Sequence, residues 1–346
     1  MKNFEYISQK QVKEIVSLRN GEIKVGEKCI IPINENLNEI LTNEHVKFII
    51  FGISEDIGVQ ANFGNKGTNE MFNSFIKAFL NIQYNEFNLF EHVAVLGQFK
   101  FDDFQKEAEQ LNAKIPKERN RLFEMVNEID QDVSKLCFQI AKHHKIPIII
   151  GGGHNNCYGI IKGISLSKGK PINTINIDPH SDFRILEGRH SGNGFSYAHK
   201  DGFLNKYYIL GLHENYSSKE VLDKLKKTEN IQMTTFEELF IRKNKTSKQL
   251  YFEIQSFFGH RNYGIEIDLD SIPNILTSAF TPEGIQINQV RTILFELQKQ
   301  KKILYLHICE GIPNKIFPMH TEKTITYLLS DFIKNYYLDH KVINNF

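Results

Sequence analysis

Short apolar runs alternate with segments of helical periodicity along most of this 346-residue chain. The apolar runs are stopped by glycine or by acidic residues, which is typical of buried strands. Strands that alternate with helices favour a central, mostly parallel sheet covered on both faces, and so predict a three-layer α/β/α fold. The predicted strands are 46–52, 147–150, 172–177, 206–210, 263–267 and 303–307, and the predicted helices are 70–80, 115–144, 217–227, 288–299 and 321–336.

The pattern changes near residue 45. Residues 1–45 are interpreted as an N-terminal extension, with an amphipathic helix near 7–18 followed by a polar, Asn-rich connection. After residue 45 the sequence has no repeat, low-complexity tract or linker. We therefore predict a single domain over residues 46–346.

Three clusters of potential metal ligands stand at the ends of predicted strands. G-G-G-H follows the strand 147–150, D-P-H-S-D follows 172–177, and D-L-D follows 263–267. Alternate side chains of an extended segment project to the same side, and ligands of open parallel sheets bind beyond the carboxyl ends of the strands. The candidate ligands are His154, Asp178, His180, Asp182, Asp268 and Asp270.

Four carboxylates and two imidazoles at one sheet edge suit two divalent cations, which can activate a water for hydrolysis. Each motif alone has a plainer interpretation: a tight glycine turn, a solvated polar loop, or an acidic helix cap. Their common position at three strand ends favours a metal centre over these alternatives.

Composition narrows the possible partners. With 41% hydrophobic residues and 27 Phe the chain can bury a large core, and its 42 basic and 41 acidic side chains create no field for nucleic acid or an anionic membrane. Four widely spaced cysteines favour reduced thiols in a cytoplasmic protein. The first residues are too polar for a signal peptide, and no apolar run approaches the ~20 residues that span a bilayer. We expect a soluble cytoplasmic protein with a small-molecule partner.

The three motifs, in this order and with these gaps, resemble the ureohydrolase superfamily of arginases, agmatinases and formimidoylglutamases, over roughly residues 46–340. Segments 51–59 and 64–68 resemble the family's early glycine-rich region, and 279–284 resembles its threonine-proline loop. Segment 306–310 resembles the late strand that delivers a glutamate, here Glu310, to the substrate's amidine or guanidine group. The resemblance implies an arginase-like catalytic domain.

The resemblance also implies two Mn²⁺ ions per subunit. His154, Asp178, Asp182 and Asp268 would hold one ion; His180, Asp178, Asp268 and Asp270 would hold the other. This oxygen-rich set without thiolate fits Mn²⁺ better than Zn²⁺. Asp182 or Asp268 would relay a proton to the departing amine, and Glu310 would bind the cationic NH₂ groups. Related enzymes commonly form trimers or hexamers, so a homo-oligomer is compatible with this prediction.

The segment after the second motif bears on the substrate. Arginases and agmatinases have a polar or small residue where Arg184 stands and a histidine proton shuttle where Phe195 stands. The D-x-H-x-D-x-R pattern is instead similar to formimidoylglutamases, whose substrate carries two carboxylates. Arg184 and Arg189 are therefore expected to bind carboxylate, although either could pair with Glu187 or Asp201 for structure. Asn193 is expected to orient the substrate, and His190 to replace the missing shuttle.

We expect hydrolysis of N-formimidoyl-L-glutamate to L-glutamate and formamide. The alternatives are an arginase-like, agmatinase-like or guanidino-acid hydrolase that releases urea, and a non-catalytic metal-binding regulatory protein on the same scaffold. A dinuclear phosphoesterase is disfavoured because the G-D-x-x-D and G-N-H-D/E segments are absent. Pro179 replaces the small residue usual in the family, and an extended strand end tolerates it.

Overall fold

The structure, a computed structural model, describes residues 1–337. Within them, nine strands form one sheet in the order β1-β3-β2-β4-β9-β8-β5-β6-β7. All neighbouring strands are parallel except β1 and β3. The strands are β1 Phe4–Tyr6, β2 Phe48–Ser54, β3 Val93–Lys100, β4 Ile146–Ile150, β5 Ile172–Ile177, β6 Leu204–Leu212, β7 Ile231–Thr235, β8 Tyr263–Asp268 and β9 Ile303–Cys309.

Twelve α-helices surround the sheet in the same part of the chain. None of them is both long enough and apolar enough to cross a membrane. They are α1 Gln9–Ile15, α2 Leu37–Thr42, α3 Ile57–Ala61, α4 Met71–Leu80, α5 Asp102–Glu109, α6 Pro116–Lys142, α7 Cys157–Lys168, α8 Gly194–Lys200, α9 Lys219–Lys227, α10 Ser247–Phe258, α11 Ile287–Gln298 and α12 His320–Tyr337. Short 3₁₀ turns at His154–Asn156, Ser191–Asn193 and Leu269–Ser271 adjoin the candidate ligands.

Helices cover both faces of the sheet, and side-chain alternation along the strands builds two separate cores. In β2, Phe48 and Ile50 enter one core, which also contains residues of α4, α11 and α12. Ile49 and Phe51 enter the other, with residues of α6 and α7. Because both faces are buried, strands such as β2 and β4 are almost continuously apolar rather than alternating. The predicted three-layer α/β/α fold with a mostly parallel sheet is confirmed.

The six predicted strands and the predicted helices are present, with ends shifted by a few residues. The sequence analysis missed β1, β3 and β7. Residues 1–45 pack on the sheet rather than projecting from it: β1 pairs antiparallel with β3, and Val12, Val25 and Ile40 are buried in the two cores. The proposed boundary at residue 45 remains a prediction.

The four middle strands bring the predicted chemistry to one edge. In the order β4-β9-β8-β5 they are direct neighbours, and their carboxyl ends lead into His154, Glu310, Asp268 and Asp178 respectively. This edge is where parallel α/β sheets bind their ligands.

Candidate metal centre

A buried glutamate, Glu55, stabilises the turn that carries His154. Gly151 and Gly152 leave β4 with φ of +87° and +74°, a conformation that glycine adopts at little cost. The Glu55 carboxylate then accepts hydrogen bonds from the backbone N–H of Gly153 (3.0 Å) and from the Asn156 amide (2.6 Å). It also accepts the backbone N–H groups of residues 57 and 58 at the start of α3. Burial raises the pKa of Glu55.

His154 faces three carboxylates at once. Its Nδ1 lies 2.8 Å from Asp182 Oδ2, 3.0 Å from Asp268 Oδ2 and 3.3 Å from Asp178 Oδ2. All four side chains are buried, and their ligand atoms lie within 4.8 Å of one another. Oxygen and imidazole donors at this spacing can enclose one divalent cation.

A second group of ligands stands beside the first. His180 Nδ1 lies 3.5 Å from Asp178 Oδ1 and 3.6 Å from Asp270 Oδ2. Asp178 thus presents one oxygen to each histidine. Asp268 directs Oδ2 to His154, while its Oδ1 accepts the backbone N–H of Asp270 at 2.8 Å. The two aspartates that the family resemblance names as bridging ligands lie between the two halves of the cluster.

The charged groups of the cluster favour the binding of cations. Burial and the neighbouring Asp178 charge raise the pKa of Asp268, and burial and the Asp268 charge raise that of Asp270. Burial disfavours a charged His180, but its hydrogen bond to Asp178 and the nearby carboxylates raise its pKa to about 10. Four carboxylates packed in the interior require positive charge, and two divalent ions would neutralise them.

A cavity of about 540 Å³ opens onto the cluster. Its floor is formed by the mostly buried side chains of His180, Asp182, Asp268, Asp270 and Glu310. Its rim comes from loops outside the sheet and includes Asn62, Phe63, Arg184, Ser191, Tyr216, Ser217 and Ser218. These two sets of residues are the floor and the rim of the cavity.

Glu310 has one oxygen fixed and one without a protein partner. Its Oε1 accepts the backbone N–H of His154 at 2.5 Å, and its buried Oε2 forms no hydrogen bond. Burial, with the nearby Asp270 charge, raises its pKa to about 8. Glu310 and Asp182 have φ of +64° and +44°, a strained backbone conformation for non-glycine residues that often occurs at functional sites.

Arg184 lies at the rim. Its side chain is 48% exposed, its NH1 donates to Asn62 Oδ1 at 2.9 Å, and its NH2 lies 3.8 Å from Glu187. The guanidinium therefore remains accessible to an anion in the cavity.

Arg189 and Asn193 lie elsewhere, contrary to the prediction that they contact the substrate. Neither lines the cavity. Arg189 is buried and forms a two-point ion pair with Asp130, with Nε–Oδ2 at 2.9 Å and NH2–Oδ1 at 3.2 Å. Its NH1 donates to Asn193 Oδ1 at 2.9 Å. The structure thus pairs Arg189 with Asp130, rather than with Glu187 or Asp201 as the structural alternative expects.

His190 is also placed away from the cavity lining. Its Nδ1 accepts the backbone N–H of Gly192 at 3.1 Å, and its Nε2 lies 3.2 Å from Glu187 Oε1. Burial and the charge of Arg184 lower its pKa to about 3. Phe195 is buried too, edge-on to His154 at 5.2 Å and stacked on Tyr207 at 4.4 Å. The geometry gives no support for His190 as a replacement proton shuttle.

The sequence analysis missed several rim residues. Tyr216 stacks on His180 with ring centroids 5.4 Å apart, and Ser217 and Ser218 follow it towards α9. They lie in an irregular loop without a motif, so no sequence signal marks them. Pro179, between two ligands, accepts the backbone N–H of His213 at 2.9 Å and so helps to hold the ligand segment.

Several known proteins are similar to this chain in sequence and in fold. A sequence model described as the arginase family matches residues 46–333. A formimidoylglutamase of Streptococcus pyogenes serotype M12 is 26% identical over 294 residues, which cover 80% of this chain and 81% of the relative.

Solved structures are similar over most of the chain. Formimidoylglutamase from Bacillus subtilis has a TM-score of 0.71 and 17% identity, covering 92% of this chain and 93% of its own. Trypanosoma cruzi formiminoglutamase with Mn²⁺ has a TM-score of 0.68 and 16% identity, covering 87% and 97%. At these identities the likeness concerns the fold, whereas the family match rests on sequence. The chain therefore belongs to the arginase family and is a metal-dependent hydrolase.

Proposed function

We propose that this chain is a dimanganese hydrolase that cleaves the C–N bond of N-formimidoyl-L-glutamate to give L-glutamate and formamide. The position of Arg184 is the main support, because it lies at the rim of the same cavity that has Glu310 and the aspartates at its floor. An amidine at the floor and a carboxylate at the rim match the two ends of this substrate.

The metal part of the proposal rests on the cluster geometry. His154, Asp178, Asp182 and Asp268 would hold one ion, and His180, Asp178, Asp268 and Asp270 the other. Two such ions supply Lewis acidity and make water a nucleophile near neutral pH. Carboxylate-rich ligation without a thiolate favours Mn²⁺ over softer metals.

The chain's own floor residues have separate tasks in this proposal. Glu310, with its free Oε2, accepts charge-assisted hydrogen bonds from the amidinium NH₂ and holds the carbon at the floor. The departing glutamate nitrogen must gain a proton. Asp182 and Asp268 line the cavity beside His154 and are the carboxylates proposed to deliver that proton.

Arg184 selects an acidic substrate in this proposal. Among the described residues that line the cavity, it is the one arginine or lysine. Asn62 already accepts a hydrogen bond from NH1, and NH2 faces Glu187 at 3.8 Å, beyond hydrogen-bonding distance. A substrate carboxylate would therefore compete with Glu187 for the exposed guanidinium. A substrate with a cationic tail, such as agmatine, would be repelled by the same group. We therefore place arginase-like and agmatinase-like activities lower.

A guanidino-acid hydrolase that releases urea is the second candidate, because Arg184 would serve that substrate equally well. Glu310 can hold an amidine or a guanidine by the same NH₂ groups, so the floor does not discriminate between them. The reaction products distinguish the two substrates, because formimidoylglutamate gives formamide and a guanidino acid gives urea.

The test is product release by Mn²⁺-reconstituted protein supplied separately with formimidoylglutamate, arginine, agmatine and guanidino acids. We expect formamide from formimidoylglutamate alone. Urea from a guanidino acid would retain the metal site and replace the substrate. Two bound Mn²⁺ ions with no product from any compound would favour the non-catalytic metal-binding alternative.

A further inference from the structure

A buried glutamate and histidine stand behind His154, on the side away from the aspartates. Glu266 lies on β8 and His307 on β9, and the two are register partners in the parallel ladder. Because side chains alternate along a strand, Glu266 shares a face with Asp268 two residues later. Both Glu266 and His307 have zero exposure.

Their contacts form a closed network. Glu266 Oε2 lies 2.6 Å from His307 Nδ1, and Glu266 Oε1 accepts the Tyr305 hydroxyl at 2.8 Å. The same Oε2 lies 3.6 Å from Nε2 of His154. Glu266 is therefore held by two residues of β9 while one of its oxygens remains near the metal-facing histidine.

Nε2 of His154 is buried and forms no hydrogen bond. Its Nδ1 faces the three carboxylates of the cluster, so a metal held there would take the lone pair of Nδ1. The ring proton must then reside on Nε2, and a buried N–H is costly without an acceptor. Glu266 Oε2 is the carboxylate oxygen that lies next to this nitrogen.

A carboxylate paired with a histidine at this depth calls for an explanation beyond stability. Replacing buried ion pairs with apolar residues is often neutral or stabilising. Histidine ligands of metal sites, however, commonly donate their second ring N–H to a carboxylate, which fixes the tautomer and the plane of the ring. The position of Glu266 behind His154 suits that role.

We propose that Glu266 is a positioning residue, which directs Nδ1 of His154 towards the metal, and that His307 holds the Glu266 carboxylate in place through Nδ1. The proposal rests on the metal centre proposed above but not on the choice of substrate. It predicts that Glu266 controls metal affinity without touching either the metal or the substrate.

The test is Mn²⁺ binding to metal-stripped protein, measured from the electron paramagnetic resonance signal of free Mn²⁺. Glu266→Gln keeps the shape of the side chain but removes its charge. We expect Mn²⁺ affinity to fall by roughly 10-fold to 100-fold, as for other outer partners of metal-bound histidines. Circular dichroism and thermal melts would establish that the variant is folded.

Two further variants separate positioning from stability. Tyr305→Phe removes the other hydrogen bond to Glu266 and should lower the melting temperature with little change in Mn²⁺ affinity. The double variant Glu266→Gln/His307→Asn removes both ionisable groups and should regain stability while its Mn²⁺ binding stays weak.

Each result bears on a different claim. Equal Mn²⁺ affinity in the wild type and Glu266→Gln, or full affinity in the stable double variant, would overturn the positioning role while leaving the proposed hydrolase intact. A wild-type protein that binds no Mn²⁺ would overturn both. Failure to hydrolyse formimidoylglutamate with normal Mn²⁺ binding would affect only the substrate assignment.

Discussion

The floor and the rim of the cavity are built in different ways. Floor residues follow directly from three adjacent central strands, β9, β8 and β5, and are largely buried, and a hydrogen bond from the backbone N–H of Asp270 to Asp268 joins two of them. Rim residues come from loops, and Phe63, Arg184 and Tyr216 are about half exposed. A parallel sheet fixes the ends of its strands rigidly, whereas loops can vary without disturbing the core. In the proposed function, the floor residues therefore determine the type of reaction, and the rim residues determine which substrate binds.

Asp178→Asn should have the largest effect, because this side chain presents one oxygen to His154 and the other to His180. We expect Mn²⁺ content and turnover to fall together, by more than the ~100-fold typical of an outer partner. Metal analysis and steady-state kinetics would measure both. Asp201→Asn, which alters a carboxylate bonded only to Tyr158, should keep both. Full activity in Asp178→Asn would contradict the metal assignment.

Arg189→Ala should affect stability instead of substrate binding. Leaving Asp130 buried and unpaired is expected to lower the free energy of unfolding by about 3–5 kcal/mol. Urea unfolding would measure this loss. Kinetics at low temperature would measure KM for the fraction of the variant that is folded. If KM for the acidic substrate rose while stability was unchanged, Arg189 would belong to the rim after all.

Arg184→Ala should weaken the rim and spare the floor. Loss of a charge-assisted hydrogen bond costs about 1.5–3 kcal/mol, so kcat/KM should fall by roughly 10-fold to 150-fold, mainly through KM. Mn²⁺ binding should be unchanged. Arg121→Ala, a surface arginine paired with Glu107, is the matched control. Unaltered kinetics in Arg184→Ala would remove the main support for an acidic substrate.

His190→Gln should have the smallest effect. A proton shuttle would contribute ~10²-fold or more, so we expect turnover to fall by much less than that.

The same variant has a pH signature. The pKa of His190 is about 3 in the fold against an ordinary 6.5, so the unfolded chain binds the extra proton. The stability linked to His190 is full above pH 6.5 and is lost as pH falls towards 3. At pH 5 about 2 kcal/mol of this stability has been lost. Urea unfolding of the metal-free protein at pH 7 and pH 5 should show a smaller loss in His190→Gln than in the wild type.

The sequence predicts the metal ligands well because each ligand motif follows a strand that is visible in the local apolar pattern. His154, Asp178 and Asp268 could be placed at strand ends without knowledge of any long-range contact. Strand β7 was missed because I-Q-M-T-T is a short run of mixed polarity, whereas the apolar V-A-V-L start of β3 is a strand signal that was overlooked.

Other residues could not be assigned from sequence, because their partners are distant. Asp130 lies 59 positions before Arg189, and nothing in the motif around Arg189 indicates that it points inwards. The Glu266 network involves β8, β9 and the turn after β4, which only the strand order brings together. The same holds for Tyr216, which reaches His180 from a loop.

The Glu55 carboxylate, next to the His154 turn, connects the metal ligand on that turn with the rim of the cavity. It collects N–H groups from the turn and from the start of α3, and the segment leaving α3 carries Asn62, which holds Arg184. If the proposed substrate displaces that loop on binding, the shift would reach the metal-facing histidine through one buried side chain. Affinity for the ion and affinity for the substrate would then be thermodynamically linked, and each ligand would change the affinity for the other by the same factor.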